Sequence, residues 1–394
     1  MDNFHEETKY VLQNNDQAAA AKLAKEHLEN LDKVPLTIAV TGETGSGKST
    51  FVNALRGLKN SDEGAAPTGA VETTMEPTEY LHPDYPNVKI WDLPGMGTIK
   101  FTADKYLKKM EFEKFDFFII VSADRFSEND AKLAREIQNL EKKFYFVRSK
   151  IDHNIIDEKR DKKEFNEEET LKRIRDDCIQ GLEQLEIKSP KVFLVSGKDL
   201  NLFDADDLWK LLEQELPEHK REVLLLALPN ISLDVINRKK QALKDKIQLY
   251  ALASAIGAAV LIPGISIAVD LAIITKFVTE CQKSLGLRAE SLKRLSEATG
   301  VSMEELKAEI KSPLTGVKIT TELVIGVLRG CIFVGGLMAA EEGARFVPFI
   351  GTPVAMGLSA FSTYLALKYL LKSLGDDAQR VFAKAMGLTD AVSD

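Results

Sequence analysis

Eight consecutive residues, Gly42-Glu43-Thr44-Gly45-Ser46-Gly47-Lys48-Ser49, have the types and spacing needed to hold a polyphosphate. In such a G-x-x-x-x-G-K-[ST] loop the glycines let backbone N–H groups converge on the β-phosphate. Lys48 reaches the β- and γ-phosphates and Ser49 ligates Mg²⁺. The apolar run Leu36-Thr37-Ile38-Ala39-Val40 ahead of it predicts a buried strand, and the helix that follows turns the positive end of its dipole toward the phosphate. Gly42, Thr44, Gly45, Ser46, Gly47 and Thr50 complete the expected nucleotide contacts here.

Two later segments supply what hydrolysis would need. Thr68-Gly69-Ala70-Val71-Glu72-Thr73-Thr74 lies where nucleotide switches place their first mobile segment, and its hydroxyls suit Mg²⁺ and the γ-phosphate; Thr74 is the first choice and Thr73 the second. Val88-Lys89-Ile90-Trp91-Asp92 reads as a strand that ends in the D-x-x-G motif Asp92-Leu93-Pro94-Gly95. Asp92 would hold Mg²⁺ through a water, and the Gly95 N–H would sense the γ-phosphate. The next residue is Met96, whose thioether cannot orient an attacking water. A polar group from another segment or a second molecule must then complete the site, and Glu43, Glu72 and Arg125 are the candidates beside Lys48 and Thr74.

Base selection is carried by Ser149-Lys150-Ile151-Asp152, a variant of [NT]-K-x-D. The Asp152 carboxylate can accept from the ring N1–H and the exocyclic amine, which guanine has and adenine lacks. The Lys150 stem would pack along the base, and Ser149 keeps a hydroxyl on a shorter side chain. Ser196-Gly197-Lys198, after strand Val192-Phe193-Leu194-Val195, supplies backbone to close over guanine O6. These motifs, in this order, call for GTP/GDP and Mg²⁺ as ligands.

The elements that position them alternate. Runs at 36–40, 88–92, 117–121, 144–147 and 192–195 read as parallel-type strands separated by helices at 50–58, 128–142 and 208–216, which is an α/β Ras-like P-loop GTPase domain. The charged stretch from Asp157 to Arg175 reads as a solvated loop, and Pro217-Glu218-His219-Lys220 as the linker. With 394 residues, 44% hydrophobic and 28% charged, two domains are expected, and a net charge of −8 argues against nucleic acid as a partner. Cys178, Cys281 and Cys331 lie far apart without metal-ligand spacing, which fits a reducing cytoplasm. The polar start Met1-Asp2-Asn3-Phe4-His5 is neither a secretory signal nor an N-myristoylation motif.

Outside that domain the chain reads as helical. Residues 5–32 form an arm with an apolar stripe that needs a partner surface, so an all-α domain built from both chain ends is expected: 1–33 packing on 221–394, with 34–220 as the nucleotide domain. Gln248–Val269 and Val347–Leu367 carry no charge, but Pro263-Gly264 breaks the first and Pro348, Gly351, Pro353 and Gly357 interrupt the second. Buried hairpins are favoured over membrane insertion. Ser302-Met303-Glu304-Glu305 is a capping box that opens a short helix.

The phosphate loop, Thr68–Thr74, Trp91-Asp92-Leu93-Pro94-Gly95 and Phe115-Asp116-Phe117-Phe118-Ile119-Ile120 resemble those of the immunity-related GTPases, interferon-inducible, dynamin-like proteins of vertebrate cell-autonomous defence. The resemblance covers nearly the whole chain, and Lys48 places it among members with a lysine in the loop rather than the methionine-bearing regulators. It implies a GTPase that dimerises through its nucleotide faces, oligomerises when GTP-bound, and acts on vacuoles that contain intracellular pathogens. Membrane lipid and related GTPases are the implied partners. Glu43, Glu72 and Arg125 match positions that look like cross-dimer contacts in that family. Asp2 stands where lipidated members carry glycine, so attachment would be peripheral. The alternative is a slow GTP/GDP switch whose helical domain binds an effector.

Overall fold

The computed structural model describes residues 17–31, 33–69, 74, 76–95, 112–259, 265–328 and 354–388. The chain divides into two compact units, Val34–Ile231 and a second built from Met1–Lys33 with Ser232–Asp394. The first therefore extends past the expected limit at residue 220, because the segment after Pro217 is itself a helix that packs on this unit's sheet.

In the first unit, β1 (Leu36–Gly42), β2 (Thr78–Leu81), β3 (Val88–Asp92), β4 (Phe117–Ser122), β5 (Phe144–Arg148) and β6 (Val192–Leu194) form a 6-stranded sheet in the order β2-β3-β1-β4-β5-β6. β1 runs parallel to both β3 and β4, and β4–β5 and β5–β6 are parallel as well. The central strands are buried on both faces, as an unbroken apolar run such as Phe117-Phe118-Ile119-Ile120-Val121 requires. β2 is the exception: it is antiparallel to β3, with Thr78 opposite Asp92. Its alternation of half-buried and exposed residues marks an edge strand, too short and too polar to stand out in the sequence.

Helices follow the strands: α2 (Lys48–Leu55), α3 (Glu128–Asn139), α4 (Ile151–Asp161), α5 (Glu167–Glu183), α6 (Ala205–Glu215) and α7 (Glu218–Ala227). The stretch expected to be a solvated loop is instead the end of α4 and the first half of α5, with only residues 162–166 outside a helix. Asn166 caps α5 by accepting from Glu169 N at 3.2 Å, and Glu167, Glu168 and Glu169 sit at the positive end of its dipole. Charge spacing that looked like mere solubility is helical surface, with Glu158 held below the usual carboxylate range by bonds from Lys162 and Arg173. One buried face of α5, through Cys178 and Leu182, joins the core formed by Phe118, Ile120, Leu133, Ile137 and Phe146. Burial raises the Cys178 thiol to about 12, so it stays neutral.

The second unit comprises α1 (Gln17–Leu31), α8 (Leu233–Ala259), α9 (Ile265–Ser284), α10 (Ala289–Thr299), α11 (Met303–Ala308) and α12 (Val354–Ala385), and residues 321–328 are also helical. α8 packs on α1, α9 and α12. The N-terminal half of the arm, residues 5–16, and the break at Pro263-Gly264 lie outside the described residues. Where the first uncharged stretch is described, Leu249, Tyr250, Ala251, Leu252 and Ala253 are buried side chains of this bundle. Among the described residues no helix is long and apolar enough to cross a membrane. Lys246 donates to Glu280 at 2.6 Å inside the bundle, and Tyr250 Oη–H donates to the other oxygen of that carboxylate at 2.6 Å. Ser302 and Glu305 form the expected capping box at the start of α11.

Candidate active site

The site lies at the carboxyl ends of β1 and β3. Gly42 leaves β1 with φ 143°, and a Cβ there would fall 2.0 Å from the Val121 carbonyl oxygen, so only glycine lets the loop turn against β4. Gly45 and Gly47 also hold positive φ, and Gly47 caps α2 in the left-handed region. Lys48 is buried, with Nζ donating to the Glu43 carbonyl at 2.7 Å. A cavity of about 160 Å³ opens over this loop, lined by Thr44, Gly45, Gly47, Lys48, Ser49, Thr50, Thr68, Gly69, Thr74, Gly95 and Lys150.

Three oxygen-bearing side chains from three segments converge beside it. Ser49 Oγ–H donates to Asp92 Oδ2 at 2.6 Å, Thr74 Oγ1–H donates to the same oxygen at 3.0 Å, and the two hydroxyls lie 3.5 Å apart. Asp92 is fully buried and its Oδ1 has no hydrogen-bond partner. Burial pushes its carboxyl above the usual range, against the bonds from Ser49 and Thr74 and the charge of Lys48. A buried carboxylate oxygen without a donor, beside two hydroxyls, is a hard-oxygen set that fits Mg²⁺. Gly95 is pressed against the phosphate loop: a Cβ would fall 2.3 Å from Thr44 Oγ1 and 2.8 Å from Thr44 Cα and N. The D-x-x-G turn and the phosphate loop are thus in contact through backbone.

On the base side, Lys150 adopts φ 56° and extends Nζ to the Gly45 carbonyl at 2.7 Å, which lays its stem along the loop. Ser149 is buried, with Oγ 2.6 Å from the Ser46 carbonyl and 3.2 Å from that of Ser122. Its hydroxyl is a tether between β4, β5 and the phosphate loop. Asp152 opens α4, partly exposed, with His153 Nε2 at 3.6 Å. Ser196 is buried and accepts from Asp199 N at 3.3 Å, and Gly197 lies beside the Thr50 methyl, 3.4 Å from where its own Cβ would be. Asp152, Ser196 and Gly197 do not line the phosphate cavity but follow it at the ends of β5 and β6. Arg148, buried, fastens this edge by donating to the carbonyls of Ala123 and Ser149 and to Asn154 Oδ1.

Of the groups expected to complete catalysis, Lys48 and Thr74 line the cavity, whereas Glu43 and Arg125 do not. Glu43 does not line the cavity, because its Oε1 accepts from Ser127 Oγ and Asn129 Nδ2, each at 2.8 Å. Arg125 is exposed, on the turn between β4 and α3, and is not part of the lining either. Glu72, Thr73 and Met96 lie outside the described residues. Thr68 and Gly69, by contrast, join the lining, and the roles of Ser127 and Asn129 carried no motif by which sequence could have marked them.

A mainly parallel sheet, a glycine loop at a helix start and a guanine-type carboxylate at the β5–α4 turn define a Ras-like P-loop GTPase. A family model described as "Interferon-inducible GTPase (IIGP)" matches residues 2–382, and the chain belongs to that family. Similar proteins include mouse "Interferon-gamma-inducible GTPase 10", 39% identical over 97% of this chain and 89% of the relative. Rat "Interferon-inducible GTPase 5" is 38% identical over 95% and 81%. Mouse "T-cell-specific guanine nucleotide triphosphate-binding protein 2" is 44% identical over 77% and 73%. The chain is accordingly a GTPase, converting GTP to GDP and phosphate.

Proposed function

We propose that this GTPase binds GTP with Mg²⁺ at the β1–α2 loop and acts in cell-autonomous immunity by assembling, in its GTP state, on intracellular membranes. The observation that carries the nucleotide part is the convergence of Ser49, Thr74 and the unpartnered Oδ1 of buried Asp92. These three residues would hold Mg²⁺, which when bound neutralises charge on the phosphate oxygens. Lys48 and the loop N–H groups bind the β- and γ-phosphates and favour the charge that builds up as the bond to the γ-phosphorus breaks. Asp152 selects guanine.

Support for assembly comes from what the cavity offers. Among its described lining residues there is no carboxylate, amide or imidazole to orient a water, and Met96 follows the D-x-x-G glycine. A second copy bringing Arg125 to the nucleotide face completes the site, with peripheral attachment to lipid and related family members as regulatory partners. GTP turnover measured across a wide protein concentration range, with light scattering and a GDP control, tests this. Specific activity should rise with concentration together with scattering, and Arg125→Ala should flatten the rise. Flat wild-type turnover without scattering refutes the assembly and points to a slow switch.

A further inference from the structure

The turn that carries Arg125, residues 123–127, ends in Ser127, the N-cap of α3. Three contacts fix it. Phe126 N donates to Asp177 Oδ2 on α5 at 3.3 Å, and Gly181 of α5 makes room for the Phe126 ring, whose Cδ1 would lie 2.2 Å from a Cβ there. The third contact runs to the phosphate loop: Glu43 Oε1 takes the Ser127 hydroxyl and the Asn129 amide. Ser127 serves both ends at once, since its oxygen also accepts from Asp130 N at 3.1 Å to cap the helix. The main chain of Glu43 is engaged on the opposite side, where its carbonyl accepts from Lys48 Nζ at 2.7 Å.

One residue thus touches the phosphate-binding lysine through its backbone and the arginine turn through its side chain. Lys48 is the group a phosphate would claim. When it turns to phosphate, the Glu43 carbonyl keeps only the Ser46 N–H at 3.2 Å, and the shift of the Glu43 Cα that follows carries the carboxylate with it. We infer that Glu43 is a positioning residue that relays occupancy of the phosphate loop to the Arg125 turn through Ser127 and Asn129. Its consequence for turnover rests on the assembly proposed above; the relay itself does not. Glu43 then supplies no chemistry to the water and instead sets how Arg125 is presented.

Hydrogen–deuterium exchange of peptides spanning 123–130, in dilute protein with and without GTPγS, reads the relay before any assembly. In the wild type, GTPγS should change the exchange by about tenfold, the effect of one charge-assisted hydrogen bond made or lost. Asn129→Ala removes one of the two donors to Glu43 and leaves the carboxylate held by Ser127 alone, and Asn129→Asp sets a like charge against Glu43 while suiting the positive end of α3. In both variants exchange should be fast and indifferent to nucleotide, and concentration-stimulated turnover should fall about tenfold, the same bond lost. A GTPγS effect equal in wild type and variants, or none in the wild type, overturns the relay. Wild-type turnover that stays flat with concentration while the exchange pattern holds refutes the assembly and leaves the relay standing.

Discussion

Ser149 stands where Asn or Thr is usual in the guanine motif, and its hydroxyl holds the phosphate loop. Ser149→Ala removes the proton shared between the Ser46 carbonyl at 2.6 Å and the Ser122 carbonyl at 3.2 Å, in a site only 2% exposed. The mutation leaves the Ser46 carbonyl without its side-chain donor where water has little access, at a cost of about 1–2 kcal/mol. If the loop is ordered in the bound form and loosened in the free one, that cost appears as about a five- to thirtyfold loss of GDP and GTP affinity. Selectivity for guanine over adenine should be unchanged, because the proposed reader of the base is Asp152. Titration with a fluorescent guanine nucleotide, repeated in competition with ATP, separates the two quantities, and melting of the nucleotide-free protein shows where the remainder of the cost falls. An unchanged affinity together with an unchanged melting temperature would refute the tether, and a changed guanine-to-adenine ratio would show that Ser149 reads the base.

Gly95→Ala should abolish GTP-stimulated turnover while GDP still binds, because the new methyl collides with Thr44 backbone and the D-x-x-G turn must retreat from the loop; normal turnover would sink this. Asp152→Asn turns two acceptors into an acceptor and a donor, so guanine affinity should drop about a hundredfold, and xanthosine diphosphate, whose 2-oxo group meets the new amide, should bind better than GDP in the same titration. In the helical unit, burial pushes the Glu280 carboxyl up, but the Lys246 charge and the bonds from Lys246 and Tyr250 outweigh it and hold it below its ordinary 4.5. A depressed value contributes stability above the unfolded pKa that is lost as pH falls through the folded one. Glu280→Gln should therefore cost about 3 kcal/mol at neutral pH and flatten the decline in melting temperature below about pH 4.5; identical wild-type and variant melting curves at pH 7 would refute it.

Strands buried on both faces were legible because apolar runs such as 117–121 have no other stable home, and the phosphate loop because its chemistry needs residues that are contiguous. β2 was not: four residues, one face to solvent, gave no alternation long enough to read. The end of α4 and the first half of α5 were hidden by their charge, since a helix whose buried face reduces to Thr170, Cys178 and Leu182 differs little from a solvated loop until its partner surface is known. In the site, Ser49, Thr74 and Asp92 could be chosen by type and order, and the fold brings them together. Glu43 could not be placed, because its partners Ser127 and Asn129 are distant in sequence and their amide and hydroxyl are common on any surface. Contacts that depend on register across a sheet leave no trace in local spacing.

Asp116 joins the two ends of the α/β unit, accepting from Thr37 N at the start of β1 at 2.9 Å and from Lys220 on α7 at 2.5 Å. The unit is therefore an insert in the chain whose entry and exit are stapled together, and the flanks before and after it form the helical unit. For α1 to reach α8, the chain must close a loop from Leu31 to Leu233, whose entropic cost falls on the helical unit when the insert is unfolded. Once the insert folds, the same closure spans only the short segments beside Asp116. Guanine nucleotide, by stabilising the insert through mass action, would then also lower the closure cost that the helical unit bears.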